Sequence, residues 1–503
     1  MPSRSDSGLY SSLRSVTRGA SVFAVGSGLS KALGFVFQLL LTRGLGAELY
    51  GIYTYGFTIA MFIVNFADLG TSKAILKFVP LYEDDPRKQN RLLGLASLTS
   101  LGGSVLLGGG VYVSAPTITE LTLNNPLLTD VLRLFAVFIV FYTLIRIVSS
   151  VFQSVERQAY KMLLENVTTQ TIRILFAGIA LVVGASVVGV TAAIIVGTVL
   201  TFGIAAVVFL SRTSFHPTLG GSRGDIREFY DVSLPLTFSD VGRLLYRRID
   251  VLMVGFLLSA GSRVGVYNIA TVLASLLRLP LTGFNQLFPP IASRLYSNGE
   301  IEELQSVYTM VTRWTFTVSL LPAAATIVYA EELLGVFGNA FTAGVTVLLL
   351  FVLGELMNAL AGPSNYMLIM TDHQYVSMVN EWALGVFNVV LNYLFISRFG
   401  LVGAALATVS VLSVINLVRV VEVWYLEGLM PYSLKFFKPI LAGLGAGAVM
   451  YGLKTFLSGY PLLVIGGVVG GIVFALGLFA LGIEQEDKEF FVESIPALES
   501  VLP

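Results

Sequence analysis

The sequence predicts an all-α polytopic membrane protein of about fourteen transmembrane helices, built as two six-helix repeats in parallel orientation plus two C-terminal helices. Three observations predict it: a charge-poor composition, a succession of bilayer-length apolar stretches, and a pattern that recurs at one spacing. Of 503 residues, 55% are hydrophobic and 12% charged, with mean hydropathy +0.81. A soluble domain carries roughly 25% charged residues, and a chain this long would need polar surface for two or more such domains. With about half that charge, most of the surface must face lipid.

Composition also removes function classes. Cysteine is absent, which excludes disulfides, thiolate metal sites and a cysteine nucleophile. The net charge is zero, so no nucleic-acid footprint exists. The first apolar stretch follows Arg4, Arg14 and Arg18 and runs from Gly19 for about 23 residues without a small-residue cleavage site. It reads as a retained span.

A helix needs about 20 apolar residues to cross the hydrocarbon core. On that criterion spans fall near 19–41, 50–69, 92–113, 127–150, 162–183 and 188–210. A polar segment rich in turn residues follows Ser211, and eight more spans lie near 230–258, 265–291, 307–329, 342–362, 376–396, 402–426, 436–457 and 462–482. The expected organisation is therefore an N-terminal half over 1–210, a linker over 211–226, a second half over 227–427, and two additional helices with a tail over 428–503.

Loop cations orient the spans. With the N-terminus inside, seventeen Lys/Arg fall in inner segments, against only Arg43, Arg263, Arg398 and Lys454 outside. Both termini are expected in the cytoplasm. The longest outer loop is expected over Ser114–Pro126, too short for a catalytic domain.

Two outer turns recur at one offset. Gly51, in Leu49-Tyr50-Gly51-Ile52-Tyr53, and Gly265, in Arg263-Val264-Gly265-Val266-Tyr267, stand 214 residues apart. Gly189 and Gly403, which open spans six and twelve, are also 214 apart. Parallel repeats of this kind are a transporter architecture with cargo held between the halves.

The same residues carry a family resemblance. Thr42-Arg43-Gly44-Leu45-Gly46 followed by Leu49-Tyr50-Gly51-Ile52-Tyr53 resembles the "ARxLG…YGxY" signature of polysaccharide transporters, the Wzx-type flippases. Phe66-Ala67-Asp68-Leu69-Gly70 and Lys77-Phe78-Val79-Pro80 are similar to that family's "DxG…RFxP" stretch, with Thr42 and Lys77 departing conservatively from its usual Ala and Arg. The fourteen-span layout extends the likeness over nearly the whole chain. Its superfamily also holds multidrug/cation antiporters and lipid II flippases. The resemblance implies transport of a lipid-linked oligosaccharide, on a polyprenyl or dolichyl phosphate or pyrophosphate, from the cytoplasmic to the outer face. Implied partners are that lipid and the bilayer, with glycan-assembly enzymes as further candidates.

Chemistry must come from charges inside the membrane. No G-x-x-x-x-G-K-[ST] loop is present, so a transporter without its own ATPase is expected. His216 and His373 sit in separate loops and read as solvated residues, and no metal or cofactor is expected. Lys31, Arg173, Arg243 and Arg278 fall near the centres of spans one, five, seven and eight, and Arg146 nearer the inner end of span four. Charges at that depth cost several kcal/mol, so each must face a cavity or a partner. Span seven is densest, with Asp240, Arg243, Arg247, Arg248 and Asp250. Arg243 and Arg247 share a face, while Asp240 and Asp250 each lie i,i+3 from one of them. Guanidinium groups bind phosphate through paired, charge-assisted hydrogen bonds. Lys31, Arg146, Arg173, Arg243, Arg247, Arg248 and Arg278 are therefore the candidate headgroup site.

The competing reading for each cation is internal pairing, with Asp68, Asp240, Asp250, Glu355 and Glu381 as available partners. Arg419 and Glu422 read as an i,i+3 pair, and the Gly466/Gly470 and Gly467/Gly471 pairs as helix packing. Asn358, Asn365, Asn388, Asn392 and Asn416 suit either sugar hydroxyls or bonds across helices. The same fold admits a multidrug/cation antiporter, which favours an acidic cleft, or a lipid II flippase; short outer loops disfavour a glycosyltransferase. The topology has a direct check: reporter fusions after Ser114 and Ser211 should read outside and inside respectively.

Overall fold

The computed structural model describes residues 4–218, 220 and 223–482, with side chains described over 28–218, 220, 223–237 and 248–482. Ten helical stretches among them are long and apolar enough to cross a membrane. Two of these, Gly28–Leu81 and Gln374–Glu427, each hold two spans, and the helical runs over 158–182 and Arg223–Leu258 supply two more. The chain is an all-α multi-pass membrane protein with fourteen spans, numbered below as in the sequence.

The breaks follow from local sequence. Gly46 (φ 73°, ψ 174°) and Gly400 (φ 58°, ψ −132°) have non-helical backbone, and each separates two successive helices with almost no loop. Both conformations are open to glycine at little steric cost. Span three starts at Pro86 behind Asp85, whose carboxylate accepts from Lys88 N at 3.0 Å. Span four starts at Pro126 behind Asn125, which accepts from Leu127 N at 3.1 Å. A capping side chain followed by proline at the first helical position is a strong start signal. Span three continues to Leu121, so the expected outer loop from Ser114 is mostly helix, closed by a turn over 122–125. Pro116 lies inside this helix and does not end it.

Contacts group the chain into two units, Met1–Ile269 with Gly385–Ala404, and Ala270–Leu384 with Ala405–Pro503. In the first, Ile75, Phe78, Leu92, Leu93 and Phe229 form a buried core near the loop end of spans two, three and seven. The Glu228 carboxylate accepts from Lys88 at 2.8 Å and from the Tyr82 hydroxyl, which together hold it below the usual carboxylate range. The segment after Arg212 is pinned to span three: Thr218 N bonds Asn90 O at 3.0 Å and His216 N bonds Asn90 Oδ1 at 2.8 Å.

The repeat-spaced glycines meet each other. A Cβ on Gly51 would overlap the carbonyl of Gly261, and one on Gly265 would lie 2.5 Å from Ala47 O. Glu48 Oε2 accepts from Ser262 N at 2.7 Å, a bond that also joins residues 214 apart. Span two and the start of span eight therefore touch backbone to backbone.

In the second unit, Phe288, Tyr308, Met367, Leu368 and Val423 form one core. Gly466 faces the Tyr329 ring and Gly470 faces Met450, as close packing requires. Gly467 has nothing within 4 Å and Gly471 only Leu321 at 3.9 Å, so packing accounts for the first pair and not the second.

Helix propensity would favour Gly51→Ala by roughly 0.5–1 kcal/mol, but the new Cβ meets a backbone carbonyl that cannot swing aside. We expect Gly51→Ala to destabilise the protein by about 1–3 kcal/mol and Gly467→Ala to stay within about 0.5 kcal/mol. Thermal unfolding in detergent reads both.

Candidate functional site

Span two brings the signature residues into a polar chain. Tyr50 is fully buried. Its hydroxyl accepts from Asn268 Nδ2 at 2.6 Å and donates to Gln38 Oε1 at 2.6 Å. Asn268 Oδ1 in turn accepts from Arg248 Nη1 at 3.1 Å. Asp250 accepts from Tyr267 Oη and from Val251 N, each at 2.8 Å. The cluster on span seven thus begins with an exposed arginine held through an amide, beside a buried, hydrogen-bonded carboxylate. The side chains of Asp240, Arg243 and Arg247 lie outside the described residues.

Arg173 occupies an aromatic clamp. Its guanidinium carbon lies 5.4 Å from the ring centre of Phe57, 5.1 Å from Phe138 and 5.4 Å from Tyr142. Phe138 and Tyr142 stack at 4.9 Å. A desolvated cation over such rings gains about 2 kcal/mol or more, which offsets part of the cost of burying it.

Arg146 lies between Asn65 Oδ1 at 3.1 Å and Asp68 Oδ2 at 3.9 Å. Asp68 also accepts from Thr71 at 2.9 Å and Ser72 at 2.8 Å, which fixes the turn after span two. The motif aspartate thus holds two hydroxyls of the following helix and serves as a counter-charge at once. Lys31 lies exposed on span one. Arg146, Arg173 and Arg248 belong to the first unit, where Tyr53 stacks on Phe57 of the clamp at 6.1 Å.

Arg278 belongs to the second unit, where Glu355 takes it in a two-pronged ion pair, Nε to Oε2 at 3.1 Å and Nη2 to Oε1. Glu355 accepts from Asn358, Asn358 from Asn416, and Arg419 reaches both Asn416 Oδ1 and Glu381 Oε1. Arg419 therefore pairs with Glu381 at 2.9 Å, not with Glu422, which accepts from Asn380 at 2.6 Å. The i,i+3 spacing was outweighed by an acceptor across the helix interface. His373 is also not merely solvated: Nε2 lies 2.7 Å from Glu427 Oε1, a contact between residues 54 apart. Asn358 and Asn416 bond across helices, Asn392 bonds Asn388 within its own helix, and Asn365 accepts from Ser377.

Sequence reasoning marked Tyr50 only as a motif residue and missed Asn268 and the clamp rings. The i,i+4 pairs Tyr53/Phe57 and Phe138/Tyr142 were visible as aromatic stripes, but such stripes commonly mark core. It also passed over Arg313, which is 4% exposed within span nine.

A family model described as "Polysaccharide biosynthesis protein" matches residues 16–294, more than half of the chain. The chain belongs to the polysaccharide biosynthesis protein family. A second model, MatE, matches residues 235–394. A curated relative of this polysaccharide biosynthesis protein, the "Probable low-salt glycan biosynthesis flippase Agl15" of Haloferax volcanii, is 25% identical over 249 residues. The match covers 46% of this chain and 49% of that one, so the chain spans about half the length of the relative. Among solved structures, the lipid II flippase MurJ in an inward closed conformation aligns with TM-score 0.72 at 15% identity, over 94% of this chain and 99% of that chain. An inward-facing multidrug resistance MATE transporter aligns with TM-score 0.61 at 18% identity, over 77% and 92%. The fold is shared with both.

The Tyr50–Asn268 bond generates a stability prediction. Tyr50→Phe and Asn268→Ala should each destabilise, with a coupling of roughly 0.5–3 kcal/mol in a double-mutant cycle, measured by thermal unfolding. Additive losses would show that the two side chains do not act together.

Proposed function

We propose that this polysaccharide biosynthesis protein is a flippase that moves a lipid-linked oligosaccharide from the cytoplasmic to the outer face of the membrane. The observation that carries the reading is family membership over residues 16–294, and the similarity to a probable glycan biosynthesis flippase of Haloferax volcanii agrees with it. The headgroup phosphate or pyrophosphate is received by cations at mid-span. Arg248 is the leading contact, because it is exposed and held by a neutral amide, Asn268. Arg243, Arg247, Lys31, Arg146 and Arg173 extend the positive field. Arg278 contributes least, because Glu355 already neutralises it. The lipid tail stays in the bilayer during transfer, with both termini in the cytoplasm.

The chain acts as a transporter rather than an enzyme. An uncompensated negative charge moving outward across an inside-negative potential gains roughly 2.3 kcal/mol per 100 mV, a driving force that needs no nucleotide. Fixed arginines offset the desolvation of the headgroup without being consumed.

A cation antiporter is the second reading, favoured by the MatE match over 235–394. Proteoliposomes with a labelled lipid-linked glycan or a cationic dye separate the two. The flippase reading expects glycan transfer without ATP, faster under an inside-negative potential, and no dye movement. Losing one charge-assisted contact in Arg243→Ala, Arg247→Ala or Arg248→Ala should lower the rate roughly tenfold or more at normal expression. Wild-type rates in all three variants, or transport of the dye alone, would refute it.

A further inference from the structure

Span five is not a uniform α-helix. A seven-residue π-helix, Met162–Thr168, lies between Gln158–Lys161 and Thr169–Val182. The hydroxyl of Thr169 donates to Leu164 O at 2.8 Å, five residues back, in keeping with the wide register. A π segment of this length is an α-helix with one residue inserted, and such bulges are frequent at functional sites.

One face just beyond it is buried and unsatisfied. Arg173 is 5% exposed, yet its Nε and Nη2 have no hydrogen-bond partner among the described residues, and neither has the buried Gln170 Oε1. Gln170 and Arg173 are i,i+3 and share that face. The rings of Phe57, Phe138 and Tyr142 attract the guanidinium's charge but offer its N–H groups no acceptor oxygen in the plane. Buried polar groups are nearly always paired in native structures. Two unsatisfied side chains on one face, directly after a bulge, mark a face built for a second arrangement.

We propose that Met162–Thr168 is a register switch that releases Arg173 from the aromatic clamp to bind a phosphate-bearing anion. When the bulge moves along the helix past Arg173, the residues it passes turn by about 100° and shift by about 1.5 Å. That rotation takes the Gln170/Arg173 face out from between the rings and frees all the guanidinium donors at once. The identity of the anion as the headgroup of a lipid-linked glycan rests on the flippase reading above; the switch itself does not.

The chain has no cysteine, so Arg173→Cys places one thiol on a silent background. Leu163, 52% exposed within the π segment, can be deleted to return the segment to α register with little loss of core packing. In liposomes without substrate, a membrane-impermeant maleimide should label R173C, and at least tenfold more slowly once Leu163 is deleted. Equal rates would overturn the switch. The unmodified protein gives a second readout that needs no folded variant. Hydrogen exchange of amides 162–173 should be at least tenfold faster than over 138–149 of span four, whose α register is unbroken; equal protection would also overturn it. Neither readout uses transport. A chain that shows both signals yet moves no glycan refutes the flippase reading alone, and one that transports without either signal refutes the switch alone.

Discussion

Hydrocarbon offers no hydrogen bonds, so every polar group that the fold carries into the membrane must find its partner within the protein. The contact of Gly51 with Gly261 and Gly265 is what makes that possible in the first unit. Only two backbones without intervening side chains come this close, and the approach sets Tyr50 within 2.6 Å of Asn268. Through Asn268 it fixes Arg248, and through Gln38 it ties span one to the same chain. Any side chain at Gly51 would push these partners apart and leave a phenol, an amide and a guanidinium unsatisfied in a medium that cannot replace the bonds.

The charges follow two strategies. In the second unit they cancel: Arg278 with Glu355, Arg419 with Glu381, Lys454 with Glu332. Each pair is only half-buried, and it adds little net stability because desolvation of the buried member offsets the attraction. In the first unit the arginines are held more weakly in charge terms, Arg173 by aromatic faces, Arg248 by an amide, and Arg146 by a carboxylate 3.9 Å away. Positive charge left partly uncompensated is costly for folding and useful for binding an anion. That contrast is why the functional proposal leans on Arg248 and Arg173 rather than on Arg278.

Irregular backbone marks the places where the helices change direction. Gly46 and Gly400 break the helix at single residues, and Asp68, Leu69 and Gly70 form a turn closed by the aspartate's own bonds to Thr71 and Ser72. The π segment of span five differs from these, since it turns nothing and instead holds a helix in a wider register. Such a register is rare within α-helices, so it persists only where the surroundings favour it.

The sequence by itself determined the class, the number of spans and most of their boundaries, because the length and polarity of apolar stretches are set by bilayer thickness and need no tertiary information. The 214-residue offset was equally legible, and so were the arginines, since a charge in an apolar run stands out whatever surrounds it. Tertiary structure alone decided what each charge touches. Arg419 chose Glu381 over the nearer Glu422, His373 found Glu427 across 54 residues, and Arg278 was claimed by Glu355 across 77. These choices depend on which helix faces which, and periodicity within one helix carries no record of its neighbour. The meeting of Gly51 with Gly265 belongs to both: the spacing marked the two residues as equivalent, and only the packed helices brought them together.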